Sequence, residues 1–328
     1  VSYVLEGSVQ KSEDKIRVIA QLIDAVSGHH LWSERYDREI KDFFQILDEI
    51  TIKIADALRL KMVWGGDVLT TTNSFEAWSY YVKGIRHFDR YTKQDNIRAR
   101  ELLKKAMELD PKYVRALTVL GYTYFSDARN GFTDTPLESI KQAVSTAQKA
   151  SAIDDSLSLL QALWASIYLI QRQHEKAIAA GKKAIELDAN SADAHALLAQ
   201  IMYYSGRPDE AITLSKRAMR IAPYPSAYFL IFLGLGYQGA GRYQEALPVF
   251  QKLFDRAQKG EFSLIFANNL LASNYAMMGD YKKAREHWAE VKKLYPEASL
   301  EFIRSINFFK DSDQLERLLD AYRAAGIE

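Results

Sequence analysis

Hydrophobic positions along most of the chain follow a helical period, and small residues return at a longer and regular interval. Alanines open a helical stretch at six places, with gaps of 44, 34, 34, 35 and 38 residues: Ala99, Ala143, Ala177, Ala211, Ala246 and Ala284. The stretch before each alanine carries a glycine or alanine three residues ahead of a tyrosine or another bulky residue. A repeat of this length buries its apolar face only against its neighbours, so the pattern predicts a stack of antiparallel helix pairs.

The small residues predict how the helices pack. Glycine or alanine in the first helix and alanine in the second allow the two axes to approach closely, while the aromatic residue fills the gap beside them. Gly206, Gly241 and Gly279 are expected to end first helices in the left-handed conformation. A sequence of about ten additional residues around RNGFTDTP predicts a lengthened turn in the second repeat. An amphipathic stretch, Asp313 to Ala325, is predicted to cap the last repeat.

The first 64 residues lack the helical repeat. Short segments rich in β-branched and aromatic residues predict three antiparallel strands over Tyr3–Gln10, Lys15–Asp24 and His30–Tyr36, separated by turn-forming clusters. Apolar residues at helical spacing from Asp42 to about Val63 predict one helix that covers this sheet, namely Phe43, Ile46, Leu47, Ile50, Ile54 and Leu58. Because three strands and one helix form a marginal unit, we expect the latter part of a larger domain.

Composition narrows the classes of partner. The 328 residues include 43 basic and 42 acidic side chains, so no global positive charge supports nucleic-acid binding. Cysteine is absent, which excludes disulfides and thiolate metal sites and suits a reducing compartment. The longest apolar run, Ala227 to Tyr237, is about half of the roughly 20 residues that a membrane-spanning helix needs. These features predict a cytoplasmic protein that binds neither membrane nor nucleic acid.

Two family resemblances follow from these residues. The repeats resemble tetratricopeptide proteins over about three quarters of the chain. Residues 3–51, YVLEGSVQKSEDKIRVIAQLIDAVSGHHLWSERYDREIKDFFQILDEIT, look like the closing half of a TolB-like domain. The combination, together with the ending NFFKDSDQLERLLDAYRAAGI, is similar to the C-terminal part of bacterial class III adenylate/guanylate cyclase-type proteins. Related layouts carry a winged helix or a protein kinase as effector. No segment here matches the cyclase metal-binding or purine-selecting residues.

Candidate chemistry within the chain is sparse. Gly234, Gly236 and Gly239 satisfy GxGxxG, but a dinucleotide site needs a strand before the glycines, whereas these residues fall in the repeat pattern. The histidines show no spacing typical of a metal site, and His174 lacks the second histidine four residues on that a zinc helix requires. We therefore predict no catalytic residue, no metal and no cofactor.

The groove formed by the first helices is the better candidate site. Counting from the small residue of each repeat gives inward positions that are aromatic, aliphatic or amide, without charge: Tyr122, Phe125, Ser166, Leu169, Gln200, Tyr203, Tyr204, Tyr228, Ile231, Gln238, Phe266, Asn269, Ser273 and Met277. Because lysines and arginines are missing there, a clamp for a terminal carboxylate is disfavoured. Aromatic residues and methionine suit an amphipathic or extended protein segment. The alternative is that these side chains pack only against each other.

The sequence as a whole predicts a mainly α protein: a right-handed tetratricopeptide-repeat superhelix of about six helix pairs and a cap, preceded by a small, partial α/β domain. The expected domains are a TolB-like part (1–64), a linker (65–73) and the repeats (74–328). The expected function is a non-catalytic protein-interaction scaffold, the regulatory region of a larger bacterial signalling protein. The alternatives are self-association through the N-terminal sheet, whose edge is unpaired, and an enzyme or nucleotide-binding domain.

Overall fold

The structure is a computed structural model, and it describes residues 3–24, 30–39, 46, 49–50, 72, 74–88, 90, 92–222, 227–305 and 307–328. The chain divides into two compact units, Val1–Phe75 and Glu76–Glu328. The first unit contains a sheet and the second contains helix pairs.

The sheet has three antiparallel strands in the order β1 (Tyr3–Ser12), β2 (Lys15–Asp24) and β3 (His30–Glu39). All three predicted strands are confirmed, and β1 and β3 extend two and three residues further than predicted. Alternate residues of β2, from Ile16 to Leu22, are buried on one face.

Only part of the helix predicted after the sheet lies within the described residues. Ile46 and Ile50 are helical and pack on the buried face of the strands. Phe43, Leu47, Ile54 and Leu58 of the predicted helix, and nearly all of the predicted linker, lie outside the described residues.

The second unit contains six helix pairs within the described residues. Their bounds are α1 (Phe75–Phe88) and α2 (Lys93–Leu109), α3 (Val114–Asn130) and α4 (Pro136–Ile153), α5 (Ser158–Ile170) and α6 (His174–Leu187), α7 (Ala192–Tyr204) and α8 (Pro208–Ile221), α9 (Ala227–Gly239) and α10 (Tyr243–Gln258), and α11 (Leu264–Met277) and α12 (Tyr281–Leu294). A short helix, α13 (Leu300–Ser305), and a longer one, α14 (Ser312–Ala324), complete the chain.

The small residues pack as predicted. The six alanines that define the repeat are all fully buried. Glycine in a first helix stands opposite a large residue of its partner helix: a Cβ built on Gly84 would lie 3.0 Å from Leu103 Cγ, and one on Gly234 only 2.3 Å from Phe250 Cε1. The absence of a side chain at these positions therefore makes room for the large residue of the partner helix.

The predicted turns can be compared directly with those in the structure. Gly206, Gly241 and Gly279 have φ angles of +77°, +74° and +80°, so the left-handed turn after the first helix is confirmed. The turn in the second repeat is longer than that of the next pair, at five residues (131–135) against three (171–173), but it does not hold all of the roughly ten additional residues. Most of the additional residues lengthen the helices: α3 has 17 residues and α4 has 18, against 13 and 14 in the next pair.

Candidate functional site

The predicted groove residues lie on five first helices. Tyr122 and Phe125 belong to α3, and the others follow on α5, α7, α9 and α11: Ser166, Leu169, Gln200, Tyr203, Tyr204, Tyr228, Ile231, Gln238, Phe266, Asn269, Ser273 and Met277. We call this first-helix surface the groove.

Polar contacts connect neighbouring helices along the groove. Tyr228 donates its hydroxyl hydrogen to Gln200 Oε1 at 2.9 Å, which joins α9 to α7. Gln238 Nε2 donates to Ser273 Oγ at 3.0 Å, which joins α9 to α11. Four of the predicted residues thus hold adjacent repeats together. These bonds engage their polar groups within the chain, except for Gln200 Nε2, which is buried without a hydrogen-bond partner among the described residues.

Half of the predicted groove residues are buried. Phe125, Ser166, Leu169, Gln200, Tyr203, Gln238 and Ser273 are each at most 9% exposed, six others are partly exposed, and Phe266 is 57% exposed. Burial raises the pKa of the Tyr203 hydroxyl above its ordinary value, because the phenolate would be desolvated. The burial of half of these side chains agrees with the alternative that they pack against their neighbours, and partner binding by the fourteen residues stays a prediction.

The chain's own C-terminal segment covers part of the groove. Residues Asn307–Lys310, which we call the clasp, connect α13 to α14 without helical structure. Lys310 N donates to Tyr204 O at 2.8 Å. The Phe309 ring lies 5.1 Å from the Tyr203 ring and 5.4 Å from the Tyr204 ring, measured between centroids. The clasp therefore occupies the aromatic centre of the predicted site.

The helix that follows the clasp, α14, was predicted as a cap from Asp313 to Ala325, and a helix is present there. Its position differs from that of a simple end cap. Tyr322 donates its hydroxyl hydrogen to Asn269 Oδ1 at 2.8 Å on the groove side, and its ring also lies 5.5 Å from that of Trp288 in the last second helix. Leu319 is fully buried. The helix thus covers both the end of the stack and the groove face of α11.

A cavity of about 570 Å³ lies where the clasp meets the turn between α5 and α6. Residues 172–176, Phe309 and Lys310 line it, and three of these side chains are cationic against one carboxylate. His174 is buried, and its Nδ1 lies 3.1 Å from Ser205 Oγ. Burial, and then the charges of Lys310 and Arg172, hold the pKa of His174 below its ordinary value, so this imidazole is neutral at pH 7.

The other candidate chemistry has structural roles. Gly234, Gly236 and Gly239 all lie within α9, and the residues directly before them, from Ala227 on, are helical, so the GxGxxG geometry for a dinucleotide is not formed. His287 Nδ1 is 2.8 Å from Asn268 Oδ1, and its ring stacks on Tyr275. Across the part of the chain that the structure describes, no group of three or more acidic or histidine side chains could hold a metal ion. Among the same residues, no helix is long and apolar enough to cross a membrane.

Comparison with known proteins identifies the helix pairs. Two family models, both described as tetratricopeptide repeat, match residues 168–229 and 226–297. Residues 168–297 are tetratricopeptide repeats. Such repeats bind proteins, so this part of the chain is a protein-interaction scaffold, and the predicted fold class is confirmed.

Solved tetratricopeptide-type structures show the same fold at low sequence identity. The type IV pilus biogenesis factor PilW is 16% identical, with a TM-score of 0.53, and the match covers 75% of this chain and 99% of PilW. A chain of the APC/C hetero-tetramer Cut9–Hcn1 is 17% identical, with a TM-score of 0.52, covering 79% of this chain and 46% of that one. At this identity the likeness shows the fold alone.

One curated relative matches this chain at a higher sequence identity than these solved structures. A protein from Rhizobium meliloti (strain 1021), named putative adenylate cyclase 3, is 35% identical over 162 residues. The match covers 48% of this chain but only 27% of that protein. This chain is therefore similar to a part of a protein named as a putative adenylate cyclase, and no comparison identifies the N-terminal sheet as TolB-like.

The tetratricopeptide period led to the groove but missed the clasp and the residues that receive it. Arg129, Arg172 and Glu175 lie at helix ends and turns, outside the inward positions that the repeat count selects. The sequence signal for the clasp is the Phe308–Phe309 pair between two helical stretches. Two adjacent aromatic residues in a connecting segment are expected to bury themselves somewhere, and here they do so in the groove.

Proposed function

We propose that this chain is the partner-binding region of a larger bacterial signalling protein of the cyclase type, located in the cytoplasm, and that it binds a protein segment along the groove. The repeats supply the scaffold, and an effector elsewhere in the parent protein supplies the activity. In this proposal the chain itself carries no catalytic residue.

The observation that carries the groove is its occupancy by an aromatic segment. Phe309 packs on Tyr203 and Tyr204 in a buried cluster that also contains Phe232, so the surface already accepts an extended stretch of polypeptide. Beyond the clasp, Phe266 is 57% exposed on α11, and such exposed aromatic residues are common at protein interfaces. Because the groove positions carry no charged side chains and many apolar ones, they favour the binding of a partner that presents apolar side chains.

The 35% identity to a putative adenylate cyclase supports the parentage. The test is to read the open reading frame that encodes this chain. A nucleotide-cyclase domain in the same polypeptide supports the proposal, whereas a different effector, or none, rejects the cyclase part of it.

Partner binding is tested by photocrosslinking in the bacterial host. A photoreactive phenylalanine analogue replaces Phe266 in the groove, and in a separate variant it replaces Leu137, which is 80% exposed at the start of a second helix. We expect a protein that is captured at Phe266 and not at Leu137, and that binds the purified chain less tightly after Phe266→Glu. Capture of the same proteins at both positions would reject the groove as the binding surface.

Self-association is the second candidate, and the edge of the sheet favours it. Strand β1 pairs only with β2 among the described strands, and its Leu5 and Val9 side chains are 53% and 61% exposed. An exposed apolar edge strand can pair with a second copy. Light scattering of the purified chain, alone and with Val9→Lys, tests this: a dimer that the substitution dissociates supports it, and a monomer at high concentration rejects it.

A further inference from the structure

The clasp bridges parts of the chain that are far apart in sequence. Arg172 Nη2 donates to Asn307 O at 3.0 Å, and Lys310 Nζ lies 2.6 Å from Glu175 Oε1, each across 135 residues. Together with the bond from Lys310 N to Tyr204 O, these contacts fix the backbone at both ends of Phe308–Phe309. The clasp is thus held like a short bound peptide.

Each aromatic residue of the clasp has its own place. Phe309 is 8% exposed and packs on Tyr203 and Tyr204. Phe308 is half-buried: its ring lies 5.7 Å from the Tyr204 ring, and the Arg129 guanidinium lies 5.4 Å from its centroid. We call the receiving residues, Arg129, Glu175, Tyr203 and Tyr204, the seat. The seat offers a bound segment two tyrosine rings to pack on, an arginine guanidinium that lies over one of the segment's rings, and a carboxylate that pairs with a basic side chain.

The turn that touches the clasp differs from its equivalents in the other repeats. Gly206, Gly241 and Gly279 occupy the left-handed position after the first helices α7, α9 and α11, but Arg172 occupies it after α5, with φ of +58°. A residue with a side chain is strained in this conformation. Arg172, the residue in this strained conformation, is also the one whose side chain bonds to the clasp backbone. Repeat 3 therefore lacks glycine at the position that contacts the clasp.

The clasp and α14 are held by largely separate contacts, although Leu315 of α14 also packs on the cluster that contains Phe309. The ion pair between Lys310 and Glu175 is largely exposed, and exposed ion pairs contribute little to stability. The helix is held by the buried Leu319 and Tyr322, and Arg285 Nη1 donates to Ala325 O at 3.0 Å beyond its end. Because largely different residues hold the two parts, the clasp can leave the seat by local opening while α14 stays in place.

We propose that the seat is a recognition site for an extended partner segment with two adjacent aromatic residues followed by a basic residue, and that the clasp is its built-in competitor. The partner's aromatic residues replace Phe308 and Phe309, its base pairs with Glu175, and its backbone N–H donates to Tyr204 O. This inference rests on the proposed partner-binding function and names the chemistry of the segment that the groove prefers.

The test uses a fluorescein-labelled peptide of residues 305–313, titrated by fluorescence anisotropy against the full chain. The clasp-open variant is Phe309→Ala with Lys310→Ala, and Phe302→Ala, an aromatic truncation on α13 outside the clasp, is the matched control. If the clasp is closed in about 90% or more of the molecules, removal of the competitor tightens peptide binding by about tenfold or more. The control variant should bind the peptide as the unmodified chain does.

Charge exchange makes the test specific for the seat. In the clasp-open variant, Glu175→Lys should weaken binding of the peptide, and a peptide with glutamate in place of its lysine should restore it. A peptide with serine in place of both phenylalanines should not bind. Equal affinity of the unmodified and clasp-open chains, or binding that ignores both substitutions, would overturn the proposal.

Two further measurements address the cases in which the clasp-open variant does not fold and in which a second copy of the chain occupies the seat. If circular dichroism shows that the clasp-open variant is unfolded, amide hydrogen exchange on the unmodified chain replaces it: the Lys310 amide should exchange faster than the amides in the middle of α14, and equal exchange would contradict local opening. A dimer of the clasp-open chain mixed with the unmodified chain would assign the seat to a second copy and overturn the partner assignment.

The two proposals fail separately. Peptide binding without any protein captured at Phe266 would leave the seat in place and reject the wider partner-binding function. A captured partner together with an absence of peptide binding would reject the seat alone.

Discussion

The close packing of Gly234 against Phe250 makes a prediction whose sign differs from that of ordinary helix propensity. Gly234 lies in the interior of α9, and a methyl group added there would lie 2.3 Å from Phe250 Cε1 and 2.8 Å from Cδ1. Phe250 is fully buried, so its ring cannot move into solvent. The substitution Gly234→Ala therefore forces the ring, or the two helices, apart.

Two opposing effects set the size of the change. Alanine is favoured over glycine in a helix interior by about 0.8–1 kcal/mol. Carbon atoms pack best at about 3.5–4.0 Å, so the ring has to move by more than about 1 Å. Overpacking of this kind costs about 1–3 kcal/mol. Because the overlap involves several ring atoms, we expect the upper part of that range and a net loss of about 1–2 kcal/mol in the free energy of unfolding.

Urea and thermal unfolding, followed by circular dichroism, measure the effect. A loss of this size lowers the melting temperature by about 2–8 °C for a unit of this length. The double variant with Phe250→Leu supplies the control, because a smaller partner side chain makes room for the added methyl. We expect the double variant to lose less than the sum of the two single losses, by about 0.5 kcal/mol or more. A higher melting temperature for Gly234→Ala, or additive losses, would refute the reasoning.

Three other predictions follow from buried polar groups. Tyr322→Phe removes the hydroxyl that donates to Asn269 and should cost about 0.5–1.5 kcal/mol in urea unfolding, with no loss if that bond is unimportant. Asp127→Ala removes the carboxylate that lies 2.5 Å from the Arg100 guanidinium and also accepts from Asn96, which leaves Arg100 with its neutral acceptors on Thr123; it should cost about 3 kcal/mol, and a change below 1 kcal/mol, about the size for an exposed pair, would contradict this. His174 has a pKa below its ordinary value of 6.5 when folded, so the unfolded chain binds the proton first and stability should fall as the pH drops below 6.5. Urea unfolding at pH 7.5 and 5.5 should show a smaller fall for His174→Gln, and an equal fall would exclude this histidine.

The sequence predicts local features of this fold well because each repeat encodes them within a few residues. Gly206 and Ala211 suffice to place the end of α7 and the course of α8, since a left-handed turn and a small packing residue have few alternatives. The second repeat was harder. Its additional residues were compatible with either a longer turn or longer helices, and helix propagation adds a hydrogen bond for each residue that joins.

The groove could be predicted only in part, since a count along a helix selects a face and not what covers it. Tyr203 and Tyr204 are on the predicted face, yet Phe309, more than 100 residues further along, packs on them. No repeat period relates these positions. A long-range contact of this kind depends on the path of the connecting segment, which local propensity does not determine.

The clasp also changes how the repeats are expected to unfold. In an open stack each repeat touches only its neighbours, so terminal units can fray one after another. Here the segment that follows the sixth repeat is bonded to Arg172 in the third, which closes the contacts of repeats 3 to 6 into a ring. A pulling force applied at the C-terminus would have to break this ring before it could peel away α12. Release of the clasp should therefore come before the loss of the sixth repeat, whereas repeats outside the ring lose their contacts independently of it.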